Sequence, residues 1–136
     1  MLSLQDILTA QRNLSGLITR TPLEYSFLLS QRAGCQVHLK LENWQKTGSF
    51  KVRGAINKVS NLTEEEKARG LVTASAGNHA LGVAYAARAW GSVPTTLFVP
   101  VSAPASKLKK LEEFDCYVVL SGNSYQEAHH AAEDFG

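Results

Sequence analysis

Leu71-Val72-Thr73-Ala74-Ser75-Ala76-Gly77-Asn78-His79-Ala80 is the stretch that decides the fold. A short apolar, β-compatible run ends at a serine and a glycine. It passes straight into alanine-rich sequence, Asn78 to Trp90, that reads as a helix closed by Gly91. The pattern then repeats: Thr95 to Val99 reads as a buried strand, Pro104 to Phe114 as a helix whose first turn tolerates proline, Tyr117 to Leu120 as a strand and Ser124 to Phe135 as a helix. Strands that alternate with helices need crossover connections. The spacing therefore predicts an α/β fold, a three-layer αβα arrangement with a mainly parallel sheet and right-handed βαβ units.

Upstream the pattern is less regular. Leu4 to Leu17 carries apolar residues at helical spacing, and Gly16 suggests its end. Thr21-Pro22 breaks any continuation, and Ser26 to Gly34 reads as a short helix. Val37 to Glu42 alternates apolar and polar residues, the mark of a half-buried strand. After the loop Asn43 to Gly48 comes a helix that Ser49 is placed to cap, with Val52, Ala55, Ile56 and Val59 as its buried stripe. Thr63-Glu64-Glu65-Glu66 matches a capping box for a further short helix ending at Gly70.

The 136 residues suffice for one compact core, and 44% hydrophobic with 19% charged residues is ordinary for a soluble globular chain. A net charge of +2 with scattered basic residues argues against nucleic acid, and Lys107, Lys109 and Lys110 read as a solvated helix face. Cys35 and Cys116 lie far apart in apolar contexts and read as buried free thiols of a reducing compartment. The four histidines show no metal spacing, His129 and His130 being adjacent and directed to different sides of a helix. No signal peptide opens the chain and no apolar run reaches bilayer length, so a cytoplasmic protein without membrane or metal is the expectation. Phosphate-loop, dinucleotide and nucleophile-elbow motifs are absent.

Two stretches carry chemistry. Lys51 lies in Thr47-Gly48-Ser49-Phe50-Lys51-Val52-Arg53-Gly54-Ala55, where a loop meets a helix. One reading is a surface lysine in a first helical turn. The other is a buried imine-forming amine, because the positive end of the helix dipole favours its neutral, nucleophilic form. Ser75 to Ala80 presents free N–H groups at the carboxyl edge of a parallel sheet, where anions bind. The alternative there is an ordinary turn with Asn78 as a helix cap, and His79 on its own reads as structural.

Leu39-Lys40-Leu41-Glu42-Asn43-Trp44-Gln45-Lys46 running into Thr47 to Ala55, followed by Thr73 to Ala80, resembles the fold-type II pyridoxal-phosphate enzymes, most nearly the threonine/serine dehydratases (threonine ammonia-lyases). The likeness takes in Thr19 to Leu23 and Gly82 to Ala84 and runs over essentially the whole chain. It implies that Lys51 holds pyridoxal 5'-phosphate as a Schiff base with Phe50 beside the ring, and that Asn78 bonds the cofactor's 3′-oxygen. Ser75, Ala76, Gly77 and His79 would grip the carboxylate of a small amino-acid substrate. The freed Lys51 amine would remove the α-proton, the β-hydroxyl would leave, and a 2-oxo acid and ammonia would result.

Serine racemases of this group carry a second serine where this chain has Ala76. Elimination without efficient racemisation follows. Leu81 departs from the glutamine common in the dehydratases, which leaves threonine, serine or a modified amino acid open as substrate. Family members are roughly twice as long, and no run of glycines here replaces their loop for the cofactor phosphate. The resemblance therefore implies an N-terminal portion with an incomplete large domain. Residues 1–56 would belong to the large cofactor domain and 57–136 to the small substrate-binding domain. A truncated chain poorly active alone is the expectation, with uncovered apolar surface that favours a homo-oligomer. Another fold-type II lyase or synthase, or a non-catalytic binding module, is the alternative.

Overall fold

A computed structural model describes all 136 residues. Helix α1 runs from Leu4 to Asn13 and starts in a capping box, the Ser3 hydroxyl accepting the Asp6 N–H and the Asp6 carboxylate accepting the Ser3 N–H. It stops short of Leu17 because the N–H groups of Ser15 and Leu17 turn back onto carbonyls only three residues away, and Gly16 takes a φ of +76°.

Strand β1 (Leu23–Tyr25) pairs antiparallel with β2 (His38–Lys40), Leu23 opposite Lys40. Between them lies α2 (Phe27–Ala33), which Ser26 caps. The expected strand over Val37 to Glu42 shrinks to three residues because the chain tightens into a 3₁₀ turn at Glu42–Trp44. Neither strand is half-buried. Every residue of the ribbon is exposed, since no other part of this chain lies over it.

Helix α3 (Lys51–Ser60) buries Val52, Ala55, Ile56 and Val59, the stripe expected from the sequence. Ser49 does not cap it. Phe50 occupies the cap position in helical conformation, and the Ser49 hydroxyl accepts the Lys51 N–H only at 3.4 Å. Helix α4 (Glu64–Arg69) opens with the expected Thr63/Glu66 capping box.

From there the alternation holds: β3 (Leu71–Ala74), α5 (Asn78–Ala89), β4 (Thr95–Val99), α6 (Ala105–Leu111), β5 (Tyr117–Leu120) and α7 (Tyr125–Phe135). The three strands form a parallel sheet in the order β3-β4-β5, with Leu71 beside Thr95 and Thr96 beside Tyr117. Alternation along β4 separates the two faces. Leu97 and Val99 pack with Ala80 of α5 and Leu111 of α6, while Phe98 packs with Ala74 and with Ala128 and Ala132 of α7. The αβα layering is therefore present. An outer layer is added by α3, whose stripe packs on Ala86 and Ala87 of α5 and on Val93, with Leu14, Leu17 and Ile18 at its margin.

Val52 and Ile56 have no exposed surface, and their burial contributes about 1.5–3 kcal/mol each. The α3 helix runs unbroken through residues 56 and 57, and both halves belong to the core shared with α5. Cys35 is exposed and Cys116 half-buried, against the expectation of two buried thiols, because the ribbon side of the chain builds no core around Cys35.

Candidate active site

The two chemical stretches meet through α5. Its Ala80, Gly82, Ala84, Ala86 and Ala87 are all buried, and such small residues let it lie close between α3 and the sheet. A Cβ built at Gly82 would stand 3.1 Å from the Lys51 carbonyl carbon and 3.2 Å from the Val52 nitrogen. The first turn of α3, which carries Lys51, thus rests on the first turns of α5, which begins at Asn78.

Lys51 itself is exposed rather than buried, because it is the first residue of α3 and projects past the stripe that Val52 begins. Its amine lies over the Phe50 ring, 5.1 Å from the centroid, and Phe50 is exposed too. The loop after β3 is anchored where the Ser75 N–H donates to the Phe98 carbonyl at 3.0 Å. The Gly77 N–H donates to the Ser75 hydroxyl at 3.2 Å, and Gly77, not Asn78, is the residue at the cap of α5. The N–H groups of Ala76, Asn78, His79 and Ala80 have no partner in the chain, and neither has the Asn78 side chain. A twelve-residue helix therefore presents its positive end unsatisfied beside the Lys51 helix.

His79 lines a cavity of about 570 Å³ with Gly54, Ala55, Thr73 and Val83. Although His79 keeps an exposed edge, its pKa lies below the ordinary 6.5, chiefly because of partial desolvation and secondarily because of the Lys51 ammonium. The backbone N–H of His79 belongs to the free N–H cluster.

Three features escaped the sequence. Arg53 grips Glu42 through two hydrogen bonds of 2.8 Å, while the Thr21 hydroxyl donates to the same carboxylate and Lys40 donates to the Thr21 carbonyl at 2.6 Å. Gln45 clasps the Thr19 backbone, accepting its N–H at 2.8 Å and donating to its carbonyl at 2.9 Å. This web ties the Thr19–Thr21 segment to α3 at Arg53, in the same first turn as Lys51. No local pattern announces it, because its partners are distant in sequence. The second is the Thr47 hydroxyl, whose oxygen is buried without a hydrogen-bond partner. The third is Gly82, whose one signal is a glycine inside an alanine-rich helix that has no need of one.

The remaining candidates do not converge on this place. His129 and His130, expected on different sides of α7, both reach Glu133, at 3.6 and 3.3 Å. No group of three or more His, Cys, Asp or Glu side chains is placed to hold a metal ion. No helix is long and apolar enough to cross a membrane.

Comparison with known proteins supplies the deciding observation. The pyridoxal-phosphate dependent enzyme family matches residues 14–135. This chain belongs to that family. It is 52% identical over 132 residues to the L-threonine ammonia-lyase of Thermotoga maritima, and 44% identical over 128 residues to the L-threonine dehydratase catabolic TdcB of Staphylococcus aureus strain N315. Among solved structures, maize serine racemase matches with a TM-score of 0.88 at 32% identity, covering 97% of this chain and 40% of that one. The processed form of threonine deaminase isoform 2 from Solanum lycopersicum matches with 0.81 at 33%, covering 98% and 40%. The alignments cover 97% and 93% of this chain but 33% and 37% of the two curated relatives, so the chain spans about a third of their length, not the half expected.

The residues present fit the ring side of pyridoxal phosphate. This family member offers an accessible primary amine on Lys51, an aromatic face beside it, an unengaged Asn78 amide and a cluster of unpaired N–H groups. Gly77 has open space on its side-chain side, so a flat ligand can approach its backbone.

Proposed function

We propose that this chain carries the reactive lysine and the substrate loop of a dehydratase, an ammonia-lyase that removes water from L-threonine or L-serine to give a 2-oxo acid and ammonia. The observation that carries the reading is the exposed Lys51 amine beside the unsatisfied start of α5. Bound pyridoxal phosphate supplies a carbonyl for the amine and an electron sink for the charge left at the substrate α-carbon.

Lys51 would hold the cofactor, with Phe50 beside its ring and the Asn78 amide available to its 3′-oxygen. The free N–H groups of Ala76, Asn78 and His79, with the Ser75 hydroxyl, would hold the substrate carboxylate at the positive end of α5, and Gly77 leaves it room to approach. The free Lys51 amine would take the substrate α-proton from one face. The Ala76 methyl cannot return a proton from the other. Elimination without racemisation follows, although the matched structures include a serine racemase.

Residues 1–56 belong to the large cofactor-binding domain and 57–136 to the small one, and the glycine-rich grip on the cofactor phosphate lies outside these 136 residues. The protein works in the cytoplasm as a homo-oligomer, its exposed ribbon and α1 covered on assembly. The test is turnover: purified residues 1–136 with pyridoxal phosphate and L-threonine or L-serine are assayed for 2-oxo acid and for D-serine. Trace 2-oxo acid without D-serine is expected. Rapid α-epimerisation of L-serine would overturn the assignment to elimination, and robust dehydration would overturn the need for a phosphate grip elsewhere.

A further inference from the structure

We infer that Gly82 is a positioning residue that sets the separation of Lys51 from Asn78 and the Ser75–His79 loop. The inference rests on the reading of Lys51 as the amine that holds the cofactor.

A glycine inside a helix costs stability, which a close approach that a side chain would block can offset. This chain has two, and they differ. Gly54 of α3 has nothing within 4 Å of where its Cβ would be, whereas a Cβ on Gly82 would meet the Lys51 carbonyl carbon at 3.1 Å, the Val52 nitrogen at 3.2 Å and the Lys51 oxygen at 3.3 Å. All three are backbone atoms, so no rotamer change relieves the contact.

Asn78, Gly82 and Ala86 recur every fourth residue and share one face of α5. Ala86 is fully buried in the cluster that contains Val52, Ala55 and Ile56, which holds that end of the helix pair closed. A methyl group at position 82 therefore acts as a wedge one turn from Asn78. With the Ala86 end held, and Ala80 buried against Leu97, Val99 and Leu111, the strain falls on the spacing between the first turn of α3 at Lys51 and the start of α5, by a few tenths of an ångström. The cofactor ring has to reach the Lys51 amine and the Asn78 amide together, so the span between them decides whether it seats.

The experiment uses the purified chain with pyridoxal phosphate and borohydride reduction. Peptide mapping then gives the rate at which label appears on Lys51 relative to the other lysines. Gly82→Ala is expected to slow labelling of Lys51 about fivefold, in keeping with the steep cost of small misplacements, while Gly54→Ala labels as the parent does. Gly82→Ala added to Asn78→Ala is expected to bring no further loss, because the span has lost its second end. A merely structural role predicts the opposite, a loss of equal size in both backgrounds with label spread over all lysines.

Thermal melts check that each variant is folded. If Gly82→Ala melts below the assay temperature, the comparison is made with Gly54→Ala as the reference and Gly54→Ala plus Gly82→Ala as the variant, the first change supporting α3. Equal labelling by Gly82→Ala and parent would overturn the inference and leave Lys51 as the anchor. Absence of preferential Lys51 labelling in the parent would overturn that reading, and this inference with it.

Discussion

His79 and Glu42 are the two residues near Lys51 whose pKa the structure lowers. Partial desolvation, and less strongly the Lys51 ammonium, hold His79 toward its neutral form. Its ring should titrate below 6.5 in an NMR experiment, and Lys51→Met should move the midpoint part of the way back. Because the folded value is depressed, the stability linked to His79 is present above the unfolded value and lost as pH falls through the folded one. Glu42 is depressed to about 2, first by its hydrogen bonds from Arg53 and then by that of the Thr21 hydroxyl. Its contribution is therefore full above about 4.5 and disappears as pH falls toward 2. The Glu42 and Arg53 side chains keep 17% and 30% of their surface exposed. Screening then holds the effect of Glu42→Gln to about 1–2 kcal/mol at neutral pH, and that difference should shrink in acid urea titrations.

At the scale of elements, legibility followed periodicity. The α3 stripe, the Thr63 capping box and the strands β3 to β5 were readable, because each is dictated by residues within one or two turns of each other. β1 was not, since a three-residue strand after Pro22 carries no period and exists only through its pairing with His38–Lys40. The exposure of Lys51 matches the surface-lysine reading rather than the buried one, because Lys51 is the first residue of α3 and lies outside the stripe that begins at Val52. Two elements give direct checks. Gly54→Ala fills open space on an exposed helix surface and should raise stability by about 0.5–1 kcal/mol, seen as a higher urea midpoint. Thr63→Ala removes the hydroxyl that accepts the Glu66 N–H and should cost about 1 kcal/mol by the same measurement.

For the whole molecule, the core is one-sided. Buried residues concentrate in α3, α5, β4 and α7, while Leu4, Ile7, Leu8, Tyr25, Phe27 and Trp44 stand exposed, and every residue of the edge strand β5 is exposed as well. Apolar surface on this scale favours association. Sedimentation of the isolated chain should show mass rising with concentration, and Ile7→Lys with Phe27→Lys should reduce it. The central claim is that Lys51 is the amine that takes the cofactor. Its most direct test is borohydride reduction of the chain with pyridoxal phosphate, followed by peptide mapping of the parent and of Lys51→Ala. The account predicts a reduced pyridoxyl group concentrated on Lys51 and lost in the variant. Label spread evenly over the lysines, or undiminished in Lys51→Ala, would contradict it.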